Sequence, residues 1–226
     1  MSGHLTDPVL AGVRHGFGTR DAPAPDVYVR PHQVHGAAVV EATACRNAAQ
    51  PPDADGIVSA LPGLAVAVVT ADCVPVLLAA PVGTAVSAVH AGWRGLAAGV
   101  VKAAVEVLVR VSGAGPAELV AAIGPHIGPC CYEVDEPVLE ALERCHGSAA
   151  RAAARPARPG HALLDLGGLV RAALFDAGLP AAAVGGAAAV CTRCDPERFH
   201  SHRRDGARAG RLLHHVTASG PTSSQG

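Results

Sequence analysis

Three short segments place a histidine or a cysteine where an apolar run meets a turn. In chain order they are Gln33-Val-His35-Gly, Thr70-Ala-Asp-Cys73-Val-Pro and Val89-His90-Ala-Gly-Trp-Arg94-Gly. Two imidazoles and one thiolate are ligands suited to zinc, and three protein ligands leave the fourth tetrahedral position open for water or substrate. These residues therefore predict a catalytic zinc site made by His35, Cys73 and His90.

The spacing of the three residues is not specific by itself. His35 and Cys73 are 38 positions apart and Cys73 and His90 are 17 apart, which is not zinc-finger spacing. The same residues also fit two hydrogen-bonded core histidines and a small buried thiol. A thiolate beside an imidazole is also the arrangement of a catalytic nucleophile and its base. A hydrolase that uses Cys73 and His90 is therefore an open alternative. Copper is the weaker metal prediction, since Met1 is the only methionine and no axial thioether is available.

The surrounding elements must bring these segments together. Short apolar runs edged by Gly, Pro or Asp predict strands over 34–42, 64–70, 74–80, 85–90, 119–123 and 163–166, with a hairpin over 77–89. Helices are predicted over 96–111, from a cap at Asp135 to about Cys145, and over 169–177. Strands and helices are mixed without strict alternation, so the predicted class is α+β.

Composition limits the kind of protein. The chain has 226 residues, is half apolar and carries a formal net charge of −1, so no global field attracts nucleic acid or acidic membranes. One domain is expected over residues 1–218, with a disordered tail over 219–226 and an exposed excursion over 149–160. The start of the chain does not resemble a signal peptide and the apolar runs are short, so a cytoplasmic location is expected.

The remaining cysteines offer two further patterns. Cys191-Thr-Arg-Cys194 has redox or zinc-ribbon spacing, but no second CxxC pair accompanies it. Cys130 and Cys131 follow a Gly-Pro pair, which predicts that they are turn and wall residues.

Several motifs occur in an order that resembles the laccase-domain family. They are QVHG, TADCVPVLL, VHAGWRGLAAGV, IGPHIGPCCYEV and the CT…F.S.RRD…GR series, and together they run from about Arg14 to about Leu213. That family was first described as multicopper polyphenol oxidases. It is now associated with purine nucleoside phosphorylase activity and, in bacteria, with peptidoglycan editing. The resemblance implies a four-layer α/β/β/α sandwich with mixed sheets, and it maps His35, Cys73 and His90 to the family's zinc ligands.

The resemblance also implies a substrate and a reaction. The expected partners are purine nucleosides and phosphate, handled by a monomer or homodimer, with adenosine deamination as an additional activity. Alternatives that remain open are a Cys-His hydrolase of cell-wall peptides and a metal-binding protein without catalysis.

Phosphorolysis requires groups that bind phosphate. Arg94 lies just before a predicted helix, where backbone N–H groups and a guanidinium fork attract anions, and Arg203 and Arg204 form a second cluster. Arg20 matches a family arginine. Asp72, next to Cys73, is expected to act as acid or base or to orient a ligand, although a turn or N-cap role fits equally well.

Two departures from the family put the substrate preference in doubt. After Phe17-Gly-Thr-Arg20 the Gly-Gly loop and the SLNLG-like element of the family are missing, so a more open site or help from a partner subunit is expected. His200 and His202 stand where the family has paired aromatic residues, and imidazoles stack on a base less strongly.

Overall fold

The computed structural model of the chain describes residues 3–46 and 48–219. The α-helices of this described part are α1 (Ala42–Arg46), α2 (Trp93–Ala97), α3 (Val100–Ser112), α4 (Glu136–His146), α5 (Ser148–Ala152), α6 (Leu166–Asp176) and α7 (His202–Asp205). Its strands are β1 (His15–Gly16), β2 (Tyr28–Val29), β3 (Val39–Glu41), β4 (Gly56–Ser59), β5 (Ala65–Thr70), β6 (Val74–Ala79), β7 (Val86–Ala91), β8 (Val120–Ile123), β9 (Glu133–Asp135), β10 (Ala154–Pro156), β11 (His161–Leu164), β12 (Val184–Gly185) and β13 (Leu212–Thr217).

These strands form three sheets. The largest has the order β12-β8-β6-β7-β4-β3, the second β1-β13-β5-β2, and the smallest β10-β11-β9. The first two sheets contain both parallel and antiparallel neighbours, because β3 runs parallel to β4 and β2 runs parallel to β5. The α+β class with mixed sheets that the sequence predicts is confirmed. No helix of the described residues is both long enough and apolar enough to cross a bilayer.

Strand β6 separates two apolar cores. Val76 and Leu78 point towards α3, whereas Leu77 and Ala79 point towards the second sheet, where they meet residues such as Val66. Because both faces are buried, the strand is an uninterrupted apolar run rather than an alternating one. The two sheets are thus stacked, with helices covering the outer face of the larger one.

Most predicted strands are present, while one predicted helix is divided. Strands β5, β6 and β8 fall within the predicted ranges, β7 extends one residue beyond its range to Ala91, and β6 and β7 form the predicted hairpin. The prediction of a single helix over 96–111 was wrong. α2 ends at Ala97 and α3 begins at Val100, because Gly99 between them has a φ of 87°, in the left-handed region.

Two other boundaries differ from the prediction. The expected strand over 34–42 is reduced to Val39–Glu41, because residues 34–36 wrap around the Asp55 carboxylate. The strand expected over 163–166 ends at Leu164, since the Asp165 side chain accepts a hydrogen bond from Gly168 N and starts α6. Helix α4 begins after Asp135 as predicted, but its N-cap side chain makes no capping hydrogen bond.

Most residues of the segment 149–160 are exposed, as expected, but the segment also carries regular secondary structure. It contains the end of α5 and all of β10, which pairs with β11, and Ala150 is fully buried. Of the expected tail, only Ser219 is described, and its N–H donates to the Gly83 carbonyl. Residues 220–226 lie outside the described part.

Candidate metal centre

A buried aspartate shapes the loop that carries His35. The Asp55 carboxylate has no exposed surface and accepts hydrogen bonds from the backbone N–H groups of Val34, His35 and Gly36, at 3.2, 3.0 and 2.6 Å. This cradle holds His35 at a φ of 60°, a conformation that is uncommon for residues other than glycine. The loop therefore presents the imidazole in a defined direction.

The same aspartate orients His90, which lies in β7. His90 Nδ1 is 2.7 Å from Asp55 Oδ1, and the His90 N–H donates to the Asp55 carbonyl at 2.7 Å. Asp55 comes directly before β4, and the antiparallel pairing of β4 with β7 brings it to His90. A hydrogen bond at Nδ1 directs Nε2 towards the third residue of the cluster.

Cys73 lies in the turn between β5 and β6 and completes a group of three donors. One donor atom from each of His35, Cys73 and His90 lies within 4.8 Å of the others. The two imidazole rings meet edge to face with their centroids 4.8 Å apart. The structure thus brings together residues remote in sequence, and the donor set of two nitrogens and one sulfur suits a borderline-soft ion such as zinc.

The electrostatics of the group favour the thiolate. Burial raises the pKa of the Cys73 thiol, but hydrogen bonds from His35 and His90 outweigh it and bring the pKa down to about 6. Burial lowers the pKa of His90, while hydrogen bonds with Asp55 and Cys73 raise it to about 9. Burial also opposes ionisation of Asp55, yet contacts with His90, Gly36 and Val34 leave its pKa below the ordinary value. A thiolate is the form of cysteine that binds metals.

Two glycines in the VHAGWRG segment leave room for the centre. A Cβ atom at Gly92 would lie 3.0 Å from Cys73 Sγ and 3.2 Å from His35 Cδ2. A Cβ atom at Gly95 would lie 2.8 Å from the carbonyl oxygen of Gly36, in the loop that carries His35. The glycines are therefore needed for close approach to the ligands.

Adding one methyl group at Gly92 is expected to weaken metal binding. The backbone at Gly92 has a φ of −74°, which alanine adopts without strain, so Gly92→Ala changes only the space beside Cys73 and His35. We expect at least a tenfold loss of zinc affinity by competition with a chromophoric chelator, as for disturbance of ligand support. Gly36→Ala is the matched control, because a Cβ there meets only ordinary contacts at 3.7 Å. Equal affinities of the two variants would contradict this explanation.

The three donors open into a cavity of about 490 Å³. Besides the donors, its wall contains aromatic, cationic and other polar side chains, chiefly Trp93, Arg94, Tyr132, Arg203, Arg30, Arg211, His202, Gln33 and Asp72. A cavity of this size that combines aromatic faces with several arginines fits a small anionic or nucleoside-sized ligand.

Two of the predicted phosphate-binding residues lie in this cavity. The Arg94 guanidinium lies over the Trp93 ring, 4.6 Å from its centroid. Arg203 lies over the Tyr132 ring at 5.3 Å and donates to the Glu133 carbonyl at 2.9 Å. Both cations are therefore held on aromatic faces at the rim of the metal centre.

Asp72 also lines the cavity, but its carboxylate is occupied by the fold. Oδ1 accepts from the Thr192 hydroxyl at 2.6 Å, and Oδ2 accepts from the Ser201 hydroxyl at 3.0 Å and from the Arg203 N–H at 2.7 Å. Asp72 itself has a φ of 94°, a strained conformation for this residue type. The N-cap residue of α7 is Ser201, and Asp72 holds Ser201 and the Arg203 N–H from the turn between β5 and β6. These contacts favour a structural role in the turn, which fixes the start of α7 and hence Arg203, over proton transfer.

Arg204 and Arg20 do not reach the cavity. The five N–H groups of the Arg204 guanidinium donate to Asp205 and to the carbonyls of Thr192, Arg193 and Phe199. Arg20 Nε also donates to the Phe199 carbonyl, and its guanidinium lies 3.6 Å from Asp205. The structure argues against phosphate binding by either residue, because their donors hold the 192–205 segment together.

Sequence patterns did not single out several residues of the site. Arg30 and Arg211 line the cavity, and Arg30 belongs to the short segment that stands where the family element is missing. His202, which was singled out above because the family has an aromatic residue there, lines the cavity as well. Asp55 was the most important omission, and the only local signal for it is an Asp-Gly pair before a buried strand.

The family model for multi-copper polyphenol oxidoreductase laccases matches residues 15–219. The chain belongs to this laccase family. Its resemblance to the family, based above on five motifs, is confirmed.

A purine nucleoside phosphorylase of Pseudomonas aeruginosa is 43% identical over 180 residues, which cover 80% of this chain and 69% of that protein. A purine nucleoside phosphorylase of Streptomyces coelicolor is 42% identical over 186 residues, covering 82% and 72%. An adenosine deaminase from an unknown prokaryote is 38% identical over 159 residues, covering 70% and 60%.

Solved structures of similar proteins share the fold of this laccase-family chain. The protein YlmD of Geobacillus stearothermophilus has a TM-score of 0.84 at 28% identity, with 94% of each chain covered. A Neisseria meningitidis protein has a TM-score of 0.78 at 36% identity, covering 86% of this chain and 76% of the other.

Proposed function

We propose that the protein is a zinc-dependent purine nucleoside phosphorylase. The observation that carries the proposal is the convergence of His35, Cys73 and His90 in a cavity that Arg94 and Arg203 also line. The two relatives named purine nucleoside phosphorylase, at 43% and 42% identity, support the same reaction.

The donor set fits zinc on the evidence of the residues themselves. The lowered pKa of Cys73 supplies a thiolate near neutral pH, and Asp55 fixes His90 with Nδ1 hydrogen-bonded. Zinc bound by three protein ligands keeps a fourth position, at which it polarises a substrate group or acidifies water. Copper remains the less favoured metal, because the described cluster offers one set of three ligands and no thioether.

The reaction would join phosphate to the sugar of a bound nucleoside. A phosphate oxygen forms a bond to the anomeric carbon of ribose, the bond from that carbon to the purine nitrogen breaks, and the base leaves with the electron pair and takes up a proton. Arg94 and Arg203 would bind the phosphate oxygens and hold the nucleophile in line. Trp93 and Tyr132 restrict the positions of both guanidinium groups.

Deamination of adenosine is a second activity that we propose for the same site. Its support is the relative named adenosine deaminase, which is 38% identical over 159 residues. In that reaction water adds to the purine carbon that bears the amino group, and ammonia leaves.

A specific observation also favours a hydrolase of cell-wall peptides. Cys73, His90 and Asp55 form a series of nucleophile, base and orienting carboxylate, with His90 Nδ1 2.7 Å from Asp55. His35 distinguishes the two functions, since a nucleophile needs no second imidazole on its sulfur but a metal centre does. Zinc bound in a one-to-one ratio that protects Cys73 from alkylation would support the metal centre.

The decisive experiment supplies adenosine or inosine with phosphate to the zinc-loaded protein and measures the free base by chromatography. We expect base release that requires phosphate and is lost in Cys73→Ala. Failure of the zinc-loaded protein to release base from either nucleoside would contradict the proposal. Tight metal binding without turnover would instead identify a metal-binding protein that lacks catalysis.

A further inference from the structure

Four cysteines outside the cavity form a second cluster. Sulfur atoms of Cys130, Cys131, Cys191 and Cys194 all lie within 4.8 Å of one another. Cys194 Sγ is 3.6 Å from Cys130 Sγ and 3.4 Å from Cys131 Sγ. The two pairs are separated by some 60 residues, so the fold, and not local sequence, brings them together.

The sulfur separations fit a shared metal ion better than a disulfide. A zinc–sulfur bond of about 2.3 Å places the sulfurs of a tetrahedral site about 3.8 Å apart. A disulfide would hold two of them at about 2.05 Å. In this structure one sulfur, that of Cys194, is equally close to both members of the vicinal pair, which suits four ligands around one centre.

Two N–H donors point at sulfur atoms of the four-cysteine cluster. The Gly128 N–H donates to Cys191 Sγ at 3.3 Å, and Arg193 donates to Cys131 Sγ at 3.5 Å. Arg155 donates to the Pro129 carbonyl at 3.4 Å, beside Cys130. Four thiolates with one divalent ion carry a net charge of −2, so two neighbouring guanidinium groups reduce the cost of assembling that charge.

We propose that the four-cysteine cluster binds a structural zinc ion through four thiolates. Four sulfur ligands leave no open position, which is the arrangement of structural zinc sites and distinguishes this one from the three-ligand centre in the cavity. Cys130 and Cys131 were predicted to be turn and wall residues; the proposal adds metal binding to that role.

Such an ion would join two loops that contact residues of the cavity wall. Tyr132, which lies under Arg203, directly follows the first cysteine pair. Thr192, whose hydroxyl donates to Asp72, lies between the cysteines of the second pair. The metal would thus stabilise the cavity wall without touching substrate.

The test counts metal ions per chain. Protein purified without chelator and analysed by elemental mass spectrometry is expected to hold two zinc ions per chain. Cys130→Ser combined with Cys194→Ser is expected to hold one, and Cys73→Ala is also expected to hold one, because each change removes a different site. Cys145→Ser, an exposed cysteine at the end of α4, is the control that keeps two.

A second measurement on the unmodified chain keeps the test independent of how well the variants fold. Cobalt(II) added to metal-free protein is expected to give the intense visible bands of a four-sulfur tetrahedral site after the first equivalent or the second. The proposal would be overturned if the protein held one zinc ion per chain, if Cys73→Ala held none, and if cobalt(II) gave no four-sulfur spectrum. A disulfide between the 130–131 and 191–194 loops in freshly purified, alkylated protein would also overturn it. Neither outcome would affect the phosphorylase proposal, which depends on the other site.

Discussion

Replacing Asp55 with asparagine is expected to reduce zinc affinity by about 10- to 100-fold and the free energy of unfolding by about 3–5 kcal/mol. The carboxylate supports both histidines of the candidate metal centre, through three backbone N–H groups at residues 34–36 and through His90 Nδ1. An amide has one acceptor oxygen, and its NH₂ group would face donors in a site with no exposed surface. Chelator competition measures the affinity, and urea unfolding of the metal-free protein measures the stability.

Asp53→Asn is the matched control for this change. Asp53 lies two residues earlier, bonds His32 at 2.7 Å and has a side chain that is 70% exposed, so the same chemical substitution should have little effect. If Asp55→Asn binds zinc as tightly as Asp53→Asn, the orienting role of Asp55 is wrong. A loss of stability with unchanged zinc affinity would limit Asp55 to holding the 34–36 loop.

The fold could be predicted where a buried strand gives a continuous apolar run in the sequence. Strands β5 to β8 are buried on one or both faces, so each appears as a short apolar run ended by Gly, Pro or Asp. The break between α2 and α3 was harder to see, because apolar residues continue across Gly99 and only its left-handed conformation ends the first helix. The exposure of segment 149–160 was expected, but its Ala-rich composition gave no sign of one buried residue and one paired strand.

The site could be predicted only in part, for reasons that are physical. Cys73 and His90 lie beside or near the ends of apolar strands, so their positions were visible in the sequence. His35 lies in a loop that the Asp55 carboxylate holds, and Asp55 reaches His90 only through the pairing of β4 with β7. Arg204 and Arg203 look alike in sequence. The fold uses every donor of the first and leaves the second at the cavity.

Among the cavity residues, Arg94 should have the largest effect on the use of phosphate. We expect Arg94→Ala to raise the KM for phosphate, and to lower kcat/KM for phosphate, by about 10- to 100-fold, since a hydrogen bond to a charged group contributes about 1.5–3 kcal/mol. Arg94→Lys should recover part of this loss, because it keeps the charge but not the two-pronged donor geometry. Steady-state rates at varied phosphate and saturating inosine give the values.

The design separates phosphate binding from a structural effect of Arg94. Its guanidinium also lies over Trp93 at 4.6 Å, so loss of that contact would disturb the cavity wall and raise the KM for the nucleoside as well. Arg110→Ala, which removes the same charge from an exposed position near the end of α3, controls for long-range electrostatics. A phosphate KM in Arg94→Ala that equals that of Arg110→Ala, or a rise confined to the nucleoside KM, would show that phosphate binds elsewhere. Arg203, on the Tyr132 face of the same cavity, would then be the next residue to change.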